Sequence, residues 1–196
     1  MAEKLRIFVS ATNDLEAARA VIGRAVAELP VQIGIEIRRT PAQGAAYDDI
    51  FELIANVDRV YFLLGRDITA PAGTEWYLSW KLERSIFPLR AVVPRTPAAQ
   101  EFARSYLGEW TPFRARLELT RLVTVDLARI LQHPTNRYGL SVTDLELLQL
   151  HLARVLQHAP DLRGDPGGAE GGGVLLDTVH GDEFDDQFDD ELLVTN

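Results

Sequence analysis

Apolar runs of strand length alternate with helical stripes along the first 112 residues, and this alternation narrows the fold more than any single motif. Residues 5–10 form a short apolar run. Asn13 with Glu16 reads as a capping box, and the helix after it carries Leu15, Ala18, Ile22, Ala25, Val26 and Leu29 on one stripe before Pro30 stops it. Val31, Ile33, Ile35 and Ile37 alternate with polar residues as in a half-buried strand. Tyr47, Ile50, Phe51 and Ile54 mark a second helix. Val60-Tyr61-Phe62-Leu63-Leu64-Gly65 and residues 89–93 are apolar strands flanking a third helix, and a fourth helix is expected between Pro97 and Gly108. Strands alternating with helices predict a doubly wound parallel sheet of four to five strands.

Residues 1–112 are expected to be the α/β domain, with residues 113–159 as its helical C-terminal extension. Within the extension, Leu122-Val123-Thr124-Val125 suits a fifth strand, while residues 113–132 as a whole suit one helix. Ser141 with Asp144 caps a further helix with the stripe Leu145, Leu148, Leu152, Val155 and Leu156. Residues 160–173 are rich in Gly, Pro and Asp and read as a linker, and residues 174–196 read as a disordered acidic tail peptide.

Charge separates these regions. The net charge of −9 is an average over two unlike parts. Residues 160–196 hold 11 acidic residues and one basic residue, a net of −10, which leaves residues 1–159 at +1. A body without basic excess joined to a tail that repels phosphate argues against a nucleic-acid partner. No apolar run approaches the roughly 20 residues of a membrane-spanning helix. The N-terminus leads into a strand without a signal-peptide pattern, so the expected location is the cytoplasm. The absence of cysteine excludes disulfides and thiolate chemistry.

The candidate chemistry gathers where strands should end. On a helix at about 100° per residue, Leu78, Leu82 and Ile86 lie within about 60° of the direction of Glu75. If that aliphatic stripe faces the sheet, Glu75 points inward over the strand ends, where open α/β sheets bind ligands. An inward carboxylate there can stabilise a developing cation or attack a sugar carbon. An acid in the first turn of a helix is also favoured by the macrodipole alone. Ser10, Thr12 and Asn13 follow the first strand, and with the free N–H groups of the helix start they can hold a ribose or phosphate, or simply cap. Gly65 and Arg66 form a third wall of the same crevice, and Trp76 flanks it. His133, His151, His158 and His180 have no metal-like spacing, so no metal is expected. In the tail, Phe184, Phe188 and Leu192 are spaced by four among acids. They read either as an amphipathic docking peptide for a protein partner or as part of a solubilising tail.

Ile7-Phe8-Val9-Ser10-Ala11-Thr12-Asn13-Asp14-Leu15, with the Ala- and Arg-rich helix after it, resembles the opening of a bacterial TIR-like family of unknown function, with Ala11 where that opening has a second serine. The resemblance continues to about residue 112 and implies a flavodoxin-like/TIR-like sheet. Residues 58–94 also resemble nucleoside deoxyribosyltransferases, whose pattern sets an aspartate before a strand and then G-T-x-x-E on a helix. Here Glu75 follows Gly73-Thr74 directly, a shorter spacing. In TIR-domain NAD glycohydrolases a glutamate on the corresponding helix is catalytic, and Glu75 is the position that would inherit the role. The resemblance implies cleavage of an N-glycosidic bond of NAD or a nucleoside in a defence or signalling system, with no separate cofactor. It also implies self-association and a substrate held by Ser10, Thr12, Asn13, Gly65, Arg66, Thr74 and Trp76. The rival expectation is a non-catalytic adaptor that recruits its partner through Phe184, Phe188 and Leu192.

Overall fold

A computed structural model describes residues 2–157. The linker and the tail, with Phe184, Phe188 and Leu192, lie outside the described residues. Strands β1 (Leu5–Ala11), β2 (Ile35–Arg38), β3 (Arg59–Leu64), β4 (Ile86–Ala91) and β5 (Thr111–Phe113) make one sheet in the order β2-β1-β3-β4-β5, parallel at each pairing. This is the flavodoxin-like order, whose direction of winding reverses between β1 and β3.

Strand alternation sorts the core into two faces. Ile7, Val9, Ala11, Tyr61, Leu63 and Leu89 point to one side, against α1 (Glu16–Ala27) and α5 (Arg116–Leu131). The second side carries Phe8 and Val60 against Ile50 and Ile54 of α2 (Tyr47–Ala55) and Leu78 of α3 (Ala72–Lys81). Farther along it, Phe62 and Leu64 meet Ala72 and the aromatic side chains near α4 (Pro97–Ser105). Both faces of β1 and β3 are covered, which is why these strands are continuous apolar runs rather than alternating ones. Each large aliphatic side chain buried here contributes about 1.5–3 kcal/mol.

The helix α6 (Val142–Gln157) lies on α5 and buries Leu148 against it. Its expected cap forms: the Asp144 N–H donates to Ser141 Oγ (3.1 Å), and the Ser141 N–H donates to Asp144 Oδ2 (2.9 Å). Leu156 departs from the expected stripe and is 46% exposed.

Of the two readings of residues 113–132 the helix holds: Leu122–Val125 lies within α5, the fifth strand is Thr111–Phe113, and two other expectations are corrected. A three-residue edge strand centred on Pro112 leaves almost no periodic signal. The Asn13/Glu16 capping box does not form. Thr12 precedes a short 3-10 turn (Asn13–Leu15) without a side-chain cap bond, α1 starts at Glu16, and the Glu16 carboxylate instead pairs with Arg19 (2.7 Å) and Arg39 (3.0 Å). The strand expected from Val31 begins only at Ile35, and Ile37 is 43% exposed because β2 is the sheet edge.

β4 accommodates Pro88 for a related reason. β5 first pairs opposite Leu89, so β4 has no second neighbour at Pro88, where a missing N–H is tolerated.

Candidate functional site

The C-terminal ends of β1 and β3, on either side of the winding reversal, hold a group of buried polar side chains, apart from the buried Asp126 and Thr124 of α5. Ser10 lies on the face of β1 that carries Phe8, Thr12 directly follows the strand, and both are buried. Glu75 enters the same face from the first turn of α3. The inward direction read from the helical phase holds: Glu75, Leu78 and Ser79 are all fully buried. The stripe that led to it is shorter than expected, because α3 ends at Lys81, Leu82 is its C-cap and Ile86 opens β4.

Each oxygen of the Glu75 carboxylate accepts a hydrogen bond from a hydroxyl. Ser10 Oγ donates to Oε2 and Thr40 Oγ1 donates to Oε1. Thr40 follows β2, so one carboxylate joins β1, the β2–α2 connection and α3. Burying a carboxylate costs several kcal/mol, against which these bonds act. An aliphatic side chain at this position would in turn leave the buried Ser10 and Thr40 hydroxyls without this partner.

A second carboxylate, Asp14, lies at the same end of β1. Thr12 Oγ1 donates to Asp14 Oδ1 (2.6 Å) and accepts from the Gly65 N–H (3.0 Å). Asp14 Oδ2 accepts the Arg66 N–H (2.7 Å). A Cβ on Gly65 would lie 2.0 Å from Asp14 Oδ2, so this carboxylate can rest against the β3–α3 loop only because residue 65 has no side chain. Asp14 thus stands where a bound anion would meet the backbone donor of the loop. Farther out, Asp67 accepts from Thr96 Oγ1 (2.6 Å) and from the Ile68 N–H (2.8 Å). The Thr96 bond, then the backbone bond, holds the Asp67 carboxyl below its ordinary range.

The expected residues therefore fall into three groups. Ser10 and Glu75 are in contact, and Thr12 and Gly65 are in contact beside them. Asn13 and Arg66 are exposed, with the Arg66 backbone turned to Asp14, and Thr74 is half-buried in the first turn of α3. Trp76 lies elsewhere, in an aromatic cluster, stacked on Trp110 at 5.4 Å and edge-on to Phe62 at 4.7 Å. Asp58, before β3, is at the opposite end of the sheet from Glu75. It accepts the Arg6 N–H (2.8 Å) and a bond from Arg137 (2.7 Å).

Asp14 and Thr40 were not recognised from the sequence. The Thr-x-Asp spacing of Thr12 and Asp14 was a usable signal for the first, since a short polar pair after a strand often bonds locally. Nothing near Thr40 in the sequence marks it. Among the described residues, no cluster of His, Asp or Glu is arranged to hold a metal ion, and no helix is long and apolar enough to cross a membrane. No protein-family model matches this chain, and no curated protein matches it.

Proposed function

We propose that this is a TIR-like domain directed at nucleosides or nucleotides, in which Glu75 acts on an N-glycosidic bond of NAD or a related nucleoside. One observation carries the reading: a fully buried carboxylate at the winding reversal of the sheet, with each oxygen bonded by a hydroxyl. A ribose diol offers the same two donors. Displacing Thr40 with the 40–46 connection would open Glu75 to a sugar, whose hydroxyls would replace the protein's own. Ser10 stays on β1 and keeps the carboxylate oriented.

Chemically, the bond from C1′ to the base nitrogen breaks and its electron pair leaves with the base. The positive charge left on the sugar is stabilised by the Glu75 carboxylate. Water then adds to C1′; its proton goes to solvent when the leaving group is the cationic nicotinamide of NAD, which departs neutral, and to the departing base nitrogen, by way of solvent, when a neutral nucleoside is cleaved. Because Asp14 already occupies the loop's backbone donor, this reading places no phosphate there. It gives Trp76 no stacking role, since Trp110 occupies a face of its ring.

The test is turnover of NAD and of nucleosides by the full chain, dilute and at concentrations that promote self-association, with free base as the product measured. The reading expects release that falls by about 100-fold or more in Glu75→Gln, the scale of losing one preorganised electrostatic group. Equal release by the variant sinks it. Its complete absence in every state favours the second reading, an adaptor, for which the full burial of Glu75 is the supporting observation.

A further inference from the structure

The side of the molecule formed by α1, α5 and α6 carries an apolar groove. It has a volume of about 680 Å³ and runs between the end of α1, the start of α5 and the last turns of α6. Leu117, 70% exposed, and Val155 supply apolar surface, and Arg114, Arg121 and Arg154 stand around it. Two acids, Glu28 and Glu118, also line it, so the arginines leave it net positive.

We propose that this groove is the docking site of the chain's own acidic segment, residues 181–193. Three features of the chain point to that occupant. The first is origin: the wall formed by His151, Arg154 and Val155 is the end of α6, and residues 158–196 continue directly from Gln157. The stretch from Gln157 to Phe184 is about 27 residues, which as a flexible Gly-rich chain has a typical end-to-end distance of about 30 Å. A tether of that length holds the segment near the groove at a millimolar-scale effective concentration.

The second feature is shape. Phe184, Phe188 and Leu192 recur every four residues and would form one apolar face about 12 Å long if the segment is helical, matching the helix-in-groove mode of recognition. The third is charge. The segment between those apolar residues is acidic, and residues 160–196 carry a net of −10. Arginines around an apolar groove bond carboxylates at its margin while the phenylalanines are buried. The tail is then held by its own domain, and an outside partner must compete for it.

The chain contains no cysteine, so a single Thr195→Cys carries a nitroxide label without background. Backbone amide intensities of the full chain read its position. The proposal expects selective signal loss at residues 114–124 and 151–155, abolished by Phe184→Ser with Phe188→Ser. Those changes lie in the tail and leave the described fold intact. Leu117→Asp, in the groove, should give the same loss of contact. Uniform or absent signal loss, or loss that persists in the phenylalanine variant, overturns the proposal. An equal mixture of isotope-labelled chain without nitroxide and unlabelled chain with it must show no effect; selective loss there identifies a second copy as the occupant and also overturns it.

Discussion

Gly65→Ala is a small change with a large expected cost, and the cost follows from one distance. The added Cβ would sit 2.0 Å from Asp14 Oδ2 and 2.5 Å from its Cγ, far inside van der Waals contact. The backbone of Gly65 is not in the left-handed region, unlike Gly44 and Gly139, so the requirement at residue 65 is steric. The carboxylate must leave, and with it go the bonds from the Arg66 N–H (2.7 Å) and from Thr12 Oγ1 (2.6 Å). A hydrogen bond to a charged group is worth about 1.5–3 kcal/mol. Overpacking costs about 1–3 kcal/mol. Because relief of one limits the other, the expected loss is about 2–4 kcal/mol rather than the sum. For a chain of this size that lowers the melting temperature by roughly 5–15 °C.

Urea unfolding followed by circular dichroism measures the loss, and a double-mutant cycle assigns its cause. In an Asp14→Ala background the obstacle is gone, so Gly65→Ala should cost little, with a coupling of about 1–3 kcal/mol. A single variant within about 0.5 kcal/mol of the parent, or additive effects in the double variant, would refute the packing of Asp14 against Gly65.

Other consequences follow from the polar groups away from the crevice. Asp126 receives the guanidinium of Arg59 and the hydroxyl of Tyr61 (2.9 Å), so Asp126→Ala should cost about 3–5 kcal/mol in urea unfolding by leaving a largely buried arginine without its carboxylate. Burial first, then the Asp126 charge, pushes the Tyr61 hydroxyl well above its ordinary range. The folded state therefore holds that proton where the unfolded chain releases it. Stability should be full below about pH 10 and fall as pH rises further, and a Tyr61→Phe variant that shows the same alkaline slope contradicts this. Asp67 has the opposite sense. Its lowered carboxyl stabilises the fold above about pH 4 and loses that contribution as pH falls through the folded value. Thr96→Val should move its NMR titration midpoint upward, toward the ordinary range.

The sheet was readable because its central strands and helices carry their own periodicity. Residues 60–64 are unbroken apolar residues between two covered faces, and α1 and α6 show their stripes in the sequence. What was not readable depends on contacts between distant residues. Thr40 meets Glu75 across 35 positions, and Ser10 meets it across 65, so no local pattern announces either pairing. The inward direction of Glu75 was legible from helical phase even though Ile86, used to set that phase, belongs to β4. Thr111–Phe113 was missed because a short edge strand is defined by its pairing with β4 rather than by its composition. The cap of α1 was misplaced because Asp14 and Thr12 bond to the β3–α3 loop instead of to the helix start.

The central claim is that a sugar-bearing ligand reaches Glu75 in place of Thr40. Titration of isotope-labelled chain with ADP-ribose, followed through the backbone amides and the Glu75 carboxyl carbon, tests it most directly because the ligand is not consumed by base release. The account predicts saturable shifts at Glu75, Ser10 and residues 40–46, lost in Glu75→Ala. Saturable shifts confined to the aromatic cluster around Trp76 and Trp110, or no shift at Glu75 at saturating ligand, would contradict it.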